Sequence, residues 1–369
     1  MSDKLSRRQA LESVGAIVAG TVGGSAMARG QSPAARPALD STAPRLAPRD
    51  ELVNTLEFEE EAKKKLAPAT YALIAGGDRA LMDRITLRPR MLSPTIDMDL
   101  SVTLFGEQHF TPILIAPMAD QKRFHADGEL ATAKGAAAGK ALMIVSSHSS
   151  VPLDQIAAAA KPSFWYQVFA GDAAAKQQVQ DAVKAGAKAV VITVGAAPAS
   201  SGPRVASSSS INWSAVDAIR QGVSVPVLVK GITTPSEATA ALQHNVQGVI
   251  VSNYGGLVGA NKDAMILALP AVVDAVGGKV PVLTDGSFRR GTDVLKALAF
   301  GAQGVLIGRP VMWGLAAYGD AGVQGVVEML QTELARYMGM CGKSNLKALG
   351  RDLVKVHGPL PAKTAGTNN

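Results

Sequence analysis

The chain has 369 residues, 47% of them hydrophobic, a formal net charge of +7 and a single cysteine. That length buries a large core, and α/β barrels of about 250 residues fold as one domain. The basic residues are scattered, with no run interleaved with aromatics, which argues against a nucleic-acid partner. Cys341 alone excludes an intrachain disulfide and a multi-cysteine metal site. It reads as a small apolar residue on a C-terminal helix. No metal set is expected, and no apolar run reaches the length of a membrane span.

In chain order, the first element is a targeting segment. Ser6-Arg7-Arg8-Gln9-Ala10-Leu11 has a twin-arginine pattern, and residues 14–27 are mildly apolar and rich in Gly and Ala. Ala26-Met27-Ala28 then places small residues where a signal peptidase reads. Residues 1–28 are therefore expected to be an export signal leading to the periplasm, the alternative being a basic tail. Residues 29–50, rich in Pro and Ala and without periodicity, read as a linker. Residues 51–369 form the body, with an N-terminal helical extension and C-terminal helices.

Glu51 to Leu66 is charged with spaced apolar residues, as in a surface helix. From Pro112 onward, short apolar runs alternate with Ala-rich helical stretches. The expected strands are Ile113–Ala116, Leu142–Ser146, Phe164–Val168, Ala189–Val194, Val227–Lys230, Gly248–Ser252, Val282–Asp285 and Val305–Gly308. Eight runs separated by helices predict an α/β fold, a (β/α)8 TIM barrel. An open doubly wound sheet is the alternative, but no Gly-x-Gly-x-x-Gly turn follows the first strand. A barrel carries its chemistry at the C-terminal ends of its strands. Ser146, Gln167, Thr193, Lys230, Ser252 with Asn253, Asp285 and Arg309 all fall there.

The last two βα units carry Asp285-Gly286-Ser287-Phe288-Arg289-Arg290-Gly291 and Gly308-Arg309-Pro310. Glycines let backbone approach a phosphate, and arginines with a helix N-terminus supply positive potential. Arg289 and Arg309 are expected to bind phosphate; surface ion pairs are the competing explanation. Lys230 ends an apolar run, so it needs a partner or water.

With these features, Val249-Ile250-Val251-Ser252-Asn253-Tyr254-Gly255-Gly256 resembles the strand tip of the FMN-dependent 2-hydroxy acid oxidase and dehydrogenase family. The resemblance runs from about Leu66 to Leu353, with one deletion and one shortened loop. Arg88-Pro89-Arg90, Gln121-Lys122, Gly128-Glu129 and Ser146-Ser147 match in order. It implies FMN as cofactor. It places Lys230 beside the flavin N1, and Ser146, Gln167, Thr193 and Ser252 around the ring. Ala116-Pro117-Met118-Ala119 would lie against the ring, with Asp285, Gly286, Arg289, Gly308 and Arg309 also at the cofactor. A small-molecule substrate is expected, and members are often tetramers, so a homotetramer is an expectation.

On the substrate side the resemblance breaks. The catalytic His position holds Tyr254, the arginine three residues on is Leu257, and the Asp after Thr193-Val194 is Gly195. Phe169 stands for a tyrosine, and Leu73 for the N-terminal tyrosine, with Tyr71 as a nearby substitute. The loop expected to hold a second arginine is Ser-rich, and Arg204 does not match the spacing. A neutral phenol, with an ordinary pKa of about 10, is a poor base at pH 7. Without an arginine fork, a carboxylate loses its bidentate partner. Phe169 and Leu257 are expected to make the pocket more apolar.

His148 is a candidate replacement acid or base, or else a hydrogen-bonded rim residue. His125 reads as structural, and His109 and His244 as surface residues. The expectation is an FMN oxidoreductase with a remodelled pocket, Tyr254 donating a proton or hydrogen bond to a less polar substrate. The alternatives are a flavin-binding protein without hydroxy acid turnover, serving binding or assembly, and a non-redox FMN enzyme.

Overall fold

A computed structural model describes residues 45–77, 79–90, 97–194, 211–254 and 265–358. The expected signal segment lies outside the described residues, as do most of the linker, Gly195, Arg204, Gly255, Gly256 and Leu257.

Eight parallel strands close into a barrel: β1 (Ile113–Ile115), β2 (Leu142–Ser146), β3 (Phe164–Phe169), β4 (Val190–Thr193), β5 (Val227–Ile232), β6 (Gly248–Val251), β7 (Val282–Asp285) and β8 (Gly304–Ile307). Each pairs with its sequence neighbour, and β8 closes on β1 with Val305 opposite Ile113. This is the barrel expected from the spacing of apolar runs, with ends shifted by one or two residues. Lys230 does not end its strand: β5 continues to Ile232 across a register shift against β6.

Strand residues alternate between two cores, following the two-residue period of a β-strand. Leu114, Ile144, Trp165, Val191, Leu228, Ile250, Leu283 and Leu306 fill the barrel interior. Ile113, Ile115, Met143, Val145, Val168, Val190 and Ile192 face the helices outside. A two-stranded ribbon, Val102–Leu104 with Glu107–His109, lies at the closed end. Its Phe105 ring is 5.5 Å from Trp165. His109 packs edge-on to Trp165 at 6.4 Å, and burial lowers its pKa. It is therefore a bottom-plug residue and not the surface histidine expected from sequence. His244 is half-buried, stacked on Trp213 at 4.8 Å and hydrogen-bonded to Asp217 at 2.8 Å.

In the N-terminal extension a 3-10 turn, Arg49–Glu51, precedes helix α1 (Thr55–Lys65), which is capped by the Asn54 side chain, accepting from the Leu56 N–H. This element is shorter than the stretch read from sequence, and it is not purely a surface helix. Thr55, Phe58, Glu61 and Ala62 are buried. It packs on the long C-terminal helix α2 (Arg309–Met340), which turns sharply at Gly319 with φ 63°. Few side chains tolerate that φ, and the turn seats His125, whose Nε2 would stand 3.1 Å from a Cβ there. Cys341 caps α2 and is buried. Among the described residues no helix is long and apolar enough to cross a membrane.

Candidate active site

The C-terminal ends of the strands open onto a cavity of about 640 Å³, within the range of about 300–1,000 Å³ typical of small-molecule sites. Ala116, Pro117, Met118 and Ala119 form one wall after β1. The loop after β7 supplies Asp285, Gly286, Ser287, Phe288 and Arg289, and the β8 end supplies Gly308 and Arg309. Lys230 enters from β5, Tyr254 from beyond β6, His148 from beyond β2, and Leu73 and Ile74 from the N-terminal extension.

At the inner end, Lys230 is 2% exposed. Its Nζ donates to Ser252 Oγ at 2.9 Å and pairs with Asp285 Oδ2 at 3.0 Å. It also lies 4.9 Å from the centroid of the Tyr254 ring. A buried ammonium requires such partners. Asp285 Oδ1 is buried without a partner, an acceptor left for a ligand hydroxyl. Tyr254 has a positive φ of 54°, and its N–H donates to Ser252 Oγ at 3.0 Å. Its ring meets Phe169 edge-on at 5.9 Å. Phe169 in turn stacks on His148 at 5.1 Å, and His148 Nε2 is 3.6 Å from Asp172 Oδ2.

Three expectations change here. Phe169 is 1% exposed and does not line the cavity; it is a backing for the Tyr254 and His148 rings. Tyr71 is no substitute for the missing tyrosine. Its hydroxyl donates to Glu59 at 3.2 Å, away from the cavity that Leu73 lines. Burial and then the Glu59 charge raise its pKa. Ser146, Gln167, Thr193 and Ser252 also do not line the cavity. The first three form a buried chain across β2, β3 and β4. Ser146 Oγ donates to Gln167 Oε1 at 3.1 Å, and Gln167 Nε2 to Thr193 Oγ1 at 2.9 Å. Register explains it, since Ser146 stands opposite Gln167 on adjacent strands.

At the outer end, Arg289 is 3% exposed and sits 4.8 Å over the Trp313 ring. Its Nη1 donates to Phe288 O at 2.8 Å and its Nη2 to Gly76 O at 2.7 Å. Burial, and the Arg309 charge beside it, push its pKa down to about 9. Two like charges held together in this way favour an anion between them.

Sequence reasoning missed several residues. Asp120 and Arg123 line the cavity and pair with one another; they flank the quoted Gln121-Lys122, so proximity was a signal. Gly77 and Arg79 also stand at the outer end and had no local signal, whereas Asp293 closes the loop motif that begins at Asp285 and stands in the first turn of the helix Gly291–Ala299.

The donor set fits FMN. An apolar wall suits a ring, Lys230 a reduced anionic ring, Asp285 a chain hydroxyl, and the arginines with two helix N-termini a phosphate. Such a barrel and donor set fit a flavin-dependent oxidoreductase. The chain belongs to the FMN-dependent dehydrogenase family, whose model matches residues 72–205 and 195–356. It is 36% identical over 353 residues to a peroxisomal (S)-2-hydroxy-acid oxidase of Oryza sativa subsp. japonica, covering 83% of this chain and 96% of that one. It is 35% identical to the L-lactate oxidase of Nostoc sp., covering 80% and 96%. Its barrel superposes on mandelate oxidase with (S)-2-phenylpropionate at a TM-score of 0.74 and 32% identity, covering 84% of this chain and 100% of that one. The protein is therefore an FMN-dependent oxidoreductase of the 2-hydroxy acid oxidase family.

Proposed function

We propose that this enzyme oxidises a substrate less polar than a small 2-hydroxy acid, with Tyr254 as its proton or hydrogen-bond donor. The observation that carries the reading is the position of Tyr254, on the cavity wall with its ring against Lys230. FMN supplies the two-electron chemistry. Lys230 holds positive charge at the inner end, and Asp285 keeps that ammonium in place. Cavity charges near the mouth are matched, since Arg123 pairs with Asp120. Leu73, Ile74, Met118 and Phe124 add apolar lining. His148, held between Phe169 and Asp172, is the candidate for relaying a proton. Ser146, Gln167, Thr193 and Ser252 would support the cofactor site from behind its lining, and the arginine pair would hold the phosphate. Export through residues 1–28 and assembly as a homotetramer belong to this reading on sequence resemblance alone.

Anaerobic reduction of the FMN-loaded protein tests it. Lactate, glycolate and mandelate are expected to bleach the flavin slowly, and an uncharged ester of mandelate faster. Rapid bleaching by any of the three acids would overturn the reading. Tyr254→His alone is expected not to restore hydroxy acid oxidation, because position 257 is leucine and supplies no carboxylate fork. Substantial turnover by that single variant, in steady-state assays, would show that the fork is dispensable.

A further inference from the structure

The N-terminal extension crosses the outer end of the cavity at Gly76 and Gly77. This strap is held from several directions. Glu59 on α1 accepts from the Gly76 N–H at 2.6 Å, and Arg289 donates to the Gly76 carbonyl at 2.7 Å. Arg79, just beyond, donates to Ser287 O at 3.1 Å and to Asp293 Oδ2 at 2.7 Å. Thr55 Oγ1 donates to the carbonyl of Arg289.

Gly77 faces the arginine pair directly. A Cβ on it would stand 2.6 Å from Arg289 Nη2 and 2.9 Å from Arg309 Nη1. Its φ of 137° adds backbone strain for any side chain. The Arg289 guanidinium cannot yield freely. It is fixed by the Phe288 and Gly76 carbonyls and by the Trp313 face. A methyl group at position 77 must therefore move the two guanidiniums or lift the strap. By contrast Gly76, with φ 56°, would place a Cβ in open space.

We propose that Gly77 is a positioning residue for the cofactor phosphate. Its missing side chain sets where the Arg289 and Arg309 guanidiniums stand, so the N-terminal strap, and not the barrel loops alone, shapes the grip on a phosphate monoester. The inference rests on the assignment of these arginines to the FMN phosphate, and not on the identity of the substrate.

The test uses apoprotein of the full chain titrated with FMN and with riboflavin, which lacks the phosphate, and follows the quenching of flavin fluorescence. Gly77→Ala is expected to raise the FMN dissociation constant by about tenfold or more and to leave riboflavin within about twofold. Gly76→Ala, which adds strain without reaching the arginines, is expected to spare the difference between the two ligands. Equal losses of FMN and riboflavin in Gly77→Ala, no loss of either, or the same phosphate-selective loss in Gly76→Ala would each overturn the proposal. Should Gly77→Ala fail to fold, Glu59→Ala removes the strap's anchor without adding an atom. It is expected to give the same phosphate-selective loss, and unchanged FMN affinity overturns the inference. Arg309→Ala separates the two layers. If it leaves FMN and riboflavin affinities unaltered, the phosphate assignment fails. If it weakens FMN alone while Gly77→Ala does not, only the strap's role fails.

Discussion

Lys230→Met is expected to cost the apoprotein about 3–5 kcal/mol, the range for removing one partner of a buried ion pair. Lys230 meets Ser252 and Asp285, at 2.9 Å and 3.0 Å. Methionine fills similar space but leaves the Asp285 carboxylate beside an apolar chain, with Oδ1 already lacking a partner. The cost is therefore that of a stranded charge more than of a lost attraction. Urea denaturation of the apoprotein reads it directly. Lys230→Met/Asp285→Asn is expected to recover most of the loss, because the stranded charge is gone. If the double variant is as unstable as the single one, lysine packing and not charge balance holds this end of the barrel. In the FMN-loaded protein, the single variant also loses the cation that favours an anionic reduced ring, and the flavin midpoint potential is expected to fall.

The barrel was legible because its strands are buried on both faces, so each reads as a short continuous apolar run. Val190, Val191 and Ile192 are all fully buried although they serve different cores. The polar ends of those runs were legible for the same reason: Lys230 and Thr193 have no place in an apolar core unless something meets them.

The direction in which each side chain faces was not legible. Phe169 stands at a strand end expected to face the pocket, yet it turns behind His148 and Tyr254. His109 looks like a polar residue of a surface ribbon until Trp165 is placed against it. At the phosphate end Arg289 and Arg309 were legible, and the long-range contacts that hold them in place were not. Arg79 and Ser287 are 208 positions apart and joined by a hydrogen bond. No local periodicity encodes such a contact, because it depends on a chain segment before the barrel returning across the loops that end it.

Asp293→Ala is expected to be as damaging as the loss of Lys230, at about 3–5 kcal/mol. Asp293 is 1% exposed. Its Oδ2 accepts from the backbone N–H groups of Arg289 and Arg290, both at 3.0 Å, and from Arg79 Nη1 at 2.7 Å. Its Oδ1 accepts from Arg79 Nη2 at 3.2 Å and lies 3.7 Å from Lys296 Nζ. One carboxylate thus satisfies two N–H groups ahead of a helix and faces two cations. Alanine strands the two N–H groups and removes the counter-charge from Arg79 and Lys296, which keep the Ser287 and Met82 carbonyls as partners. Asp293→Asn, which keeps one acceptor oxygen but no charge, is expected to fall between. The loss also has a pH signature. Burial lowers the Lys296 pKa below its ordinary 10.5, and the Asp293 charge opposes that shift. Without Asp293 the folded value falls further, so between it and 10.5 the unfolded chain binds more protons than the folded one. Stability then rises with pH across that window. The gap between wild type and Asp293→Ala is therefore expected to be widest near pH 7 and to narrow as pH approaches about 10, measured by urea denaturation at each pH. A gap that stays constant with pH would assign the damage to the two backbone N–H groups and Arg79, with no share for Lys296.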